Sequence, residues 1–423
     1  MQDTDLRPAL YVLVLCMALI EFGQVWYFDA SQHRLITERP FGGQYRALLW
    51  LSSLAVIALH LIRGQIVTLA AVLAPHLTFI AWAVCVGALW SVSNTTSART
   101  LIFWGFAAGV ASSAGLEAGP RLLARSVATL FIAVAAASLL LAIFVPSAAI
   151  AYWYDQPVVR GLFPQKNAFG WFAAMGLVWI IWLRPYIPLL MLIPGLVILT
   201  IALLVSGSAA ALALGIGANA YILWCKLATR LFQNGALAFI ATLLIIVISL
   251  IAGWFVLPVI FEALGRDITL TGRTAVWDHY LSYISARPLT GFGPGLFTGT
   301  GALAVAVGNT IPGFEGEGLF STHSVYVAIL GETGPIGLIL FASALIYLAL
   351  IVPFCTTNRW SHLAAGYAFA IAIIGIVETR DGHGPGLVTL LLLAARGQSF
   401  APANNLPRED EQPANLTAPA RYA

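Results

Sequence analysis

The sequence predicts an all-α, polytopic membrane protein. Hydrophobic residues make up 60% of the chain and charged residues only 9%, against roughly 25% charged in ordinary soluble domains. Apolar runs of the roughly 20 residues needed to cross a ~30 Å hydrocarbon layer recur from end to end. The short alternating strands of a transmembrane barrel are absent from the sequence. About twelve transmembrane helices are expected, interrupted by one large, partly helical loop.

The first run, Pro8 to Tyr27, follows a short polar start. It exceeds the core of a signal peptide and no small-x-small cleavage pattern follows, so a retained helix is expected. Further runs lie at about 45–62, 66–90, 99–117, 123–147, 167–183, 187–205, 208–225 and 235–260, and after the loop at 325–354, 362–378 and 384–398. The runs 187–205 and 208–225 meet at Ser206-Gly207-Ser208 and require a tight turn. An even count puts both termini on one side. Cations on that side, such as Arg63, Arg121 and Arg184, punctuate very short connections, as topology signals do. Cations on the other side, including Arg160, Lys166, Arg266, Arg273, Arg287 and Arg380, gather in longer loops. That pattern places the long loop outside. Residues 1–400 then form one integral membrane domain with a periplasmic loop at about 265–324. Residues 401–423, rich in Pro, Asn, Ala and charge, read as a disordered cytoplasmic tail.

The four cysteines, Cys16, Cys85, Cys225 and Cys355, lie in or at the ends of apolar runs and form no CxxC pair. They read as packing residues, with neither a disulfide framework nor a zinc site suggested. A net charge of +3, dispersed along the chain, gives no basis for nucleic-acid binding.

The stretch from Gly265 to Gly337 is the longest break in the apolar pattern. A long loop in a compact protein is usually functional or disordered, and its aromatic content and regular spacing argue against disorder. Val276, Trp277, Tyr280, Leu281 and Ile284 recur at helical spacing and form one apolar face, expected to lie at the membrane surface with Arg273 about a turn ahead. Arg287-Pro288 ends that helix. Gly291-Phe292-Gly293-Pro294-Gly295 reads as a turn in which backbone folds closely, not as a nucleotide-binding loop. The alternative for this stretch is an interfacial anchor whose arginines meet lipid phosphate.

His323 precedes another helix. The segment from Ser324 to Phe354 would measure ~46 Å as helix, and Gly334-Pro335 should kink it. A histidine at a helix start, where the dipole disfavours imidazolium, suits a general base. A third cluster, Tyr152-Trp153-Tyr154-Asp155 followed by Arg160 through Asn167, brings Arg160 and Lys166 to the start of a span. Two cations at a helix N-terminus favour an anion such as phosphate; the alternative is snorkelling to the interface. Glu21, Glu332, Glu378 and Asp381 lie beside or within spans, where acidic groups are rarely idle.

Three motifs, GLFPQKNAFG, GRTAVWDHYLSYISARPLTGFGPGLF and THSVYVAILGETGPIG, occur in order over about residues 150–340. Together they resemble the O-antigen ligase and polymerase superfamily of bacterial inner membranes, and most closely its exopolysaccharide-polymerase branch. The chain has His323-Ser324 where that superfamily often has His-Asn. The resemblance implies a GT-C-like glycosyltransferase, metal-independent and inverting, without a cofactor. Its donor would be a glycan on undecaprenyl diphosphate, its acceptor a glycan or lipid A core, and its setting the periplasmic face of the inner membrane. Flippase and chain-length regulator proteins are implied as partners. Arg160 and Arg273 match arginines that hold the diphosphate leaving group, and His323 matches the histidine that deprotonates the acceptor. Lys166, Asn167, Arg287 and Glu332 are expected to contribute to substrate binding. The acceptor separates a polymerase from a ligase. A transporter or flippase of lipid-linked glycans would show internal repeats and midplane binding groups, whereas here the cations gather at one surface.

Overall fold

The computed structural model describes residues 6–25, 42–153, 156–232, 234–263, 273–297, 302–311, 322–356, 358–378 and 386–401. The chain is an all-α, polytopic membrane protein. Its first half comprises α1 (Arg7–Phe22), α2 (Gly42–Ile62), α3 (Ile66–Leu89), α4 (Asn94–Glu117), α5 (Pro120–Phe144) and the single turn α6 (Pro146–Ala149). A hairpin of β1 (Ile150–Trp153) and β2 (Gln156–Val159) follows, with Ile150 paired to Val159 and Trp153 to Gln156. Then come α7 (Lys166–Leu183), α8 (Leu189–Val205), α9 (Ala209–Leu231) and α10 (Gly235–Ala263). The long loop contributes α11 (Arg273–Ile284) and α12 (Ala302–Gly308). The chain returns through α13 (Val325–Ile346), a π-helical stretch, α14 (Val352–Cys355), α15 (Arg359–Ile374) and α16 (Leu387–Phe400).

Each of the twelve apolar runs read from the sequence contains a helix, and six helices among the described residues are long and apolar enough to cross a membrane. The boundaries move where caps decide them. α4 begins at Asn94, ahead of the apolar run, because the Ser93 hydroxyl accepts from the Thr96 amide at 3.4 Å. Ser208 caps α9 in the same way, completing the tight turn from α8. The β-hairpin was not foreseen.

Side-chain contacts fix the direction of the helices. At one end of the bundle, Tyr45 and Arg46 at the start of α2 meet Met17 and Glu21 near the end of α1. At the other, His60 and Arg63 meet Glu117 at the end of α4. Arg359 at the start of α15 donates to the Trp182 carbonyl at the end of α7, and Tyr367 donates to Met175 near the middle of both helices. The two helices are therefore antiparallel, and the end of α15 shares the bundle end of Lys166. That end, which also carries the hairpin and α11–α12, is called the loop end below.

The main core runs through α1, α4, α5, α7, α15 and α16, with Trp179, Trp360, Phe131 and Phe172 fully buried. Arg396 is buried in α16 yet has acceptors. Its Nε donates to the Val72 carbonyl at 2.7 Å and an Nη to that of Ala71 at 3.3 Å. Pro75 in α3 has no N–H to offer Ala71, so the guanidinium takes the place of the missing helix bond. Of the cysteines, Cys225 is buried, Cys16 half-buried, and Cys85 and Cys355 exposed on outward helix faces. Packing thus accounts for two of the four.

Candidate active site at the loop end

The first turn of α13 is anchored to the end of α15 and the residues just after it. The Val325 amide donates to the carbonyls of Gly375 at 2.8 Å and Glu378 at 3.1 Å, just beyond α15. The Ser324 hydroxyl caps the helix through the Val327 amide and also donates to the Gly375 carbonyl at 3.2 Å. His323 stands immediately before this cap, half-buried, with φ of +50°. Side chains other than glycine are uncommon in that region, although histidine is enriched there. The cap also explains the departure from His-Asn noted in the sequence: serine and asparagine are comparable N-caps, so His323-Ser324 preserves the local geometry.

Arg273 is the first residue of α11, about a turn ahead of Val276. Its guanidinium donates to the Val377 carbonyl and lies 3.3 Å from a Glu378 carboxylate oxygen that is almost wholly buried. It therefore points at protein acceptors. Arg273 and the helix start at Ser324-Val325, next to His323, are thus both held by one segment, residues 375–378. Glu378 was visible in the sequence as an acid beside a span; its partner was not.

The helix behind Arg273 is amphipathic as expected, but it packs chiefly on protein. Val276, Tyr280 and Ile284 form a second, smaller core with Phe292, Leu296, Phe297 and Ala328, while Leu281 remains exposed. The Tyr280 hydroxyl donates to the Ala304 carbonyl at 2.6 Å, and burial pushes its pKa up to about 12. The glycine-rich turn folds as closely as its sequence suggests. Gly291, Gly293 and Gly295 all have positive φ, and a Cβ at Gly293 or Gly295 would fall within 2.2 Å of Ser91 or Thr100. The turn is stitched to α13: Phe292 donates to the Gly331 carbonyl and Gly293 to that of Glu332. Glu332 is fully buried, and its carboxylate accepts from the Phe297 amide at 2.8 Å. Its visible work is to hold this turn. Arg287 lies against α3, donating to the Trp90 carbonyl at 2.8 Å with its guanidinium over Phe292.

Arg160 closes the hairpin. Its amide and Nε donate to the carbonyls of Ala149 and Ala148, and burial lowers its pKa. Gly161, at φ of +57°, lets the chain drop beside Ser138, whose hydroxyl accepts from the Leu162 amide. Ser138 lies six residues before the end of α5, about 9 Å along its axis, so Arg160 enters the bundle from the loop end. Lys166 opens α7, and Asn167 accepts from the Ser208 hydroxyl at 3.0 Å, tying α7 to the α8–α9 turn. Arg160, Lys166, Arg273, Arg287, His323 and Glu332 therefore all belong to the loop-end half of the bundle. Tyr154, Asp155, Arg266, Arg380, Asp381 and residues 402–423 lie outside the described residues.

Residues 194–342 match the O-antigen ligase family. The match covers about a third of the chain and supports the O-antigen ligase/polymerase superfamily. It includes the motifs around Arg273 and His323, whereas the motif containing Lys166 lies upstream of it. A search of curated proteins finds no match to the chain.

Proposed function

We propose that the chain is a glycosyltransferase that polymerises oligosaccharide repeat units carried on undecaprenyl diphosphate, working at the periplasmic face of the inner membrane. The observation that carries this reading is the convergence of Arg273 and the helix start beside His323 on residues 375–378, at the bundle end that also holds Arg160 and Lys166.

In the proposed reaction the acceptor sugar hydroxyl attacks the anomeric carbon of the donor in a single, inverting displacement. His323 takes the hydroxyl proton. The bond from the anomeric carbon to the diphosphate oxygen breaks, and the lipid diphosphate leaves with the electron pair. Arg160 and Arg273 offset the charge growing on that diphosphate, and Lys166 adds a point charge at the start of α7. The Glu378 carboxylate keeps the Arg273 guanidinium aimed while leaving donor capacity for the phosphate, since a guanidinium carries five N–H groups. Asn167, Arg287 and Glu332 shape the surroundings through the contacts described above.

His323→Ala and Arg273→Ala are each expected to abolish polymer while the protein inserts normally; loss of a general base alone costs roughly 10²–10⁴-fold. Polymer of normal length in either variant would overturn the assignment. The description of the matched family favours a second reading, a ligase that passes finished glycan to lipid A core or protein. A deletion strain separates the two. Single repeat units accumulate if a polymerase is lost, and long polymer stays on the carrier lipid if a ligase is lost.

A further inference from the structure

The opposite end of the bundle carries a second concentration of charge that the proposed reaction does not use. α8 and α9 each pack along α7 but scarcely touch one another, so they splay apart below their turn and leave a cleft floored by α7. The cleft has a volume of about 790 Å³. Its walls are apolar, including Leu177, Ile181, Leu203 and Ile216, and its mouth is cationic, formed by Arg184, Lys226, Arg230 and Arg359. Arg184, Arg230 and Arg359 all lie close enough to repel the Lys226 ammonium. No carboxylate lines the cleft among the described residues. Arg359 donates to the Trp182 carbonyl at 3.2 Å.

Four converging cations without an acid destabilise one another unless an anion joins them. Along α9 the lining runs from Arg230 to Leu212, about 27 Å of helix, long enough for an acyl chain that crosses one leaflet, about half of a ~30 Å hydrocarbon layer. An anion attached to a long apolar chain fits both features, and basic pockets between membrane helices are known binders of acidic headgroups. We infer that this cleft holds an anionic diacyl phospholipid, with its phosphate among Arg184, Lys226, Arg230 and Arg359 and an acyl chain along the groove between α8 and α9.

The test uses the full chain, purified in mild detergent and offered equimolar phosphatidylglycerol and phosphatidylcholine, with bound lipid counted by native mass spectrometry. One retained phosphatidylglycerol, preferred at least about tenfold, is expected; a tenfold preference corresponds to about 1.4 kcal/mol. The preference should fall to near unity in Lys226→Gln/Arg230→Gln. Ala220→Trp fills the exposed groove wall while keeping all four cations, and should release the lipid. Arg121→Gln, at the same bundle end but off the cleft, should bind as the parent does. Thermal melting of each variant reports folding, and Lys226→Gln alone replaces the double variant if that one unfolds. Absence of preference in the parent would overturn the inference. So would equal loss in Arg121→Gln, undiminished binding in Ala220→Trp, or complete displacement by inorganic phosphate.

Discussion

His323 carries its imidazole on a backbone at φ of +50°, a conformation that costs a residue with a Cβ roughly 1–2 kcal/mol relative to glycine. His323→Gly should therefore melt higher than His323→Ala, although both lack the imidazole; equal melting temperatures would show that the geometry relaxes in the variants. Glu378 is the residue through which Arg273 is aimed. Glu378→Gln keeps an acceptor but loses the charge, and activity should drop about tenfold, the order of one charge-assisted hydrogen bond. Glu378→Ala should lose more, and Arg273→Lys, which cannot span two acceptors in a plane, should not restore it.

Among the elements, α13 is broken where its sequence says it must be. Gly334 has φ of +68° and ψ of −175°, a region essentially reserved for glycine, and a Cβ there would fall 2.0 Å from the Leu289 carbonyl oxygen. Gly334→Ala should destabilise by at least ~1–3 kcal/mol from the backbone alone, measured by thermal melting in detergent. The π-helical stretch that follows, Tyr347–Ile351, runs into Pro353, which has no N–H to offer the Ala349 carbonyl. In α3 the break has a different remedy. Arg396→Leu removes the donors that satisfy Ala71 and Val72, and should cost about 2–3 kcal/mol in the same assay. Arg396→Lys, with one donor centre in place of a planar fork, should recover only part of that.

At the scale of the whole molecule, the alternation of helix direction puts the hairpin, α11 and the start of α13 at one bundle end. In a variant lacking the native cysteines, Gln165→Cys and Leu289→Cys should react with an impermeant maleimide from the same side of the membrane, and Leu231→Cys from the other. Labelling of Gln165→Cys and Leu289→Cys from opposite sides would contradict the arrangement. Hydropathy made this much legible beforehand, because each span must be long, apolar and internally hydrogen-bonded. Arg273 and His323 were legible as motif residues. The anchor shared by Arg273 and the helix start beside His323 was not: the bonds from Val325 and Arg273 to residues 375–378 join segments 50 and about 100 residues apart, and no local periodicity encodes such a pairing. The β-hairpin escaped for a related reason, since four-residue strands carry too little pattern to distinguish from loop.

The smaller core beneath α11 has a consequence for heat inactivation. Val276, Tyr280, Ile284, Phe292 and Phe297 form a cluster distinct from the main core, and Arg273 leads directly out of it. Cooperative units with fewer buried contacts open first. Warming should therefore silence the proposed transferase activity several degrees before the helical signal of the bundle falls, and cooling from that interval should restore activity without refolding the membrane helices.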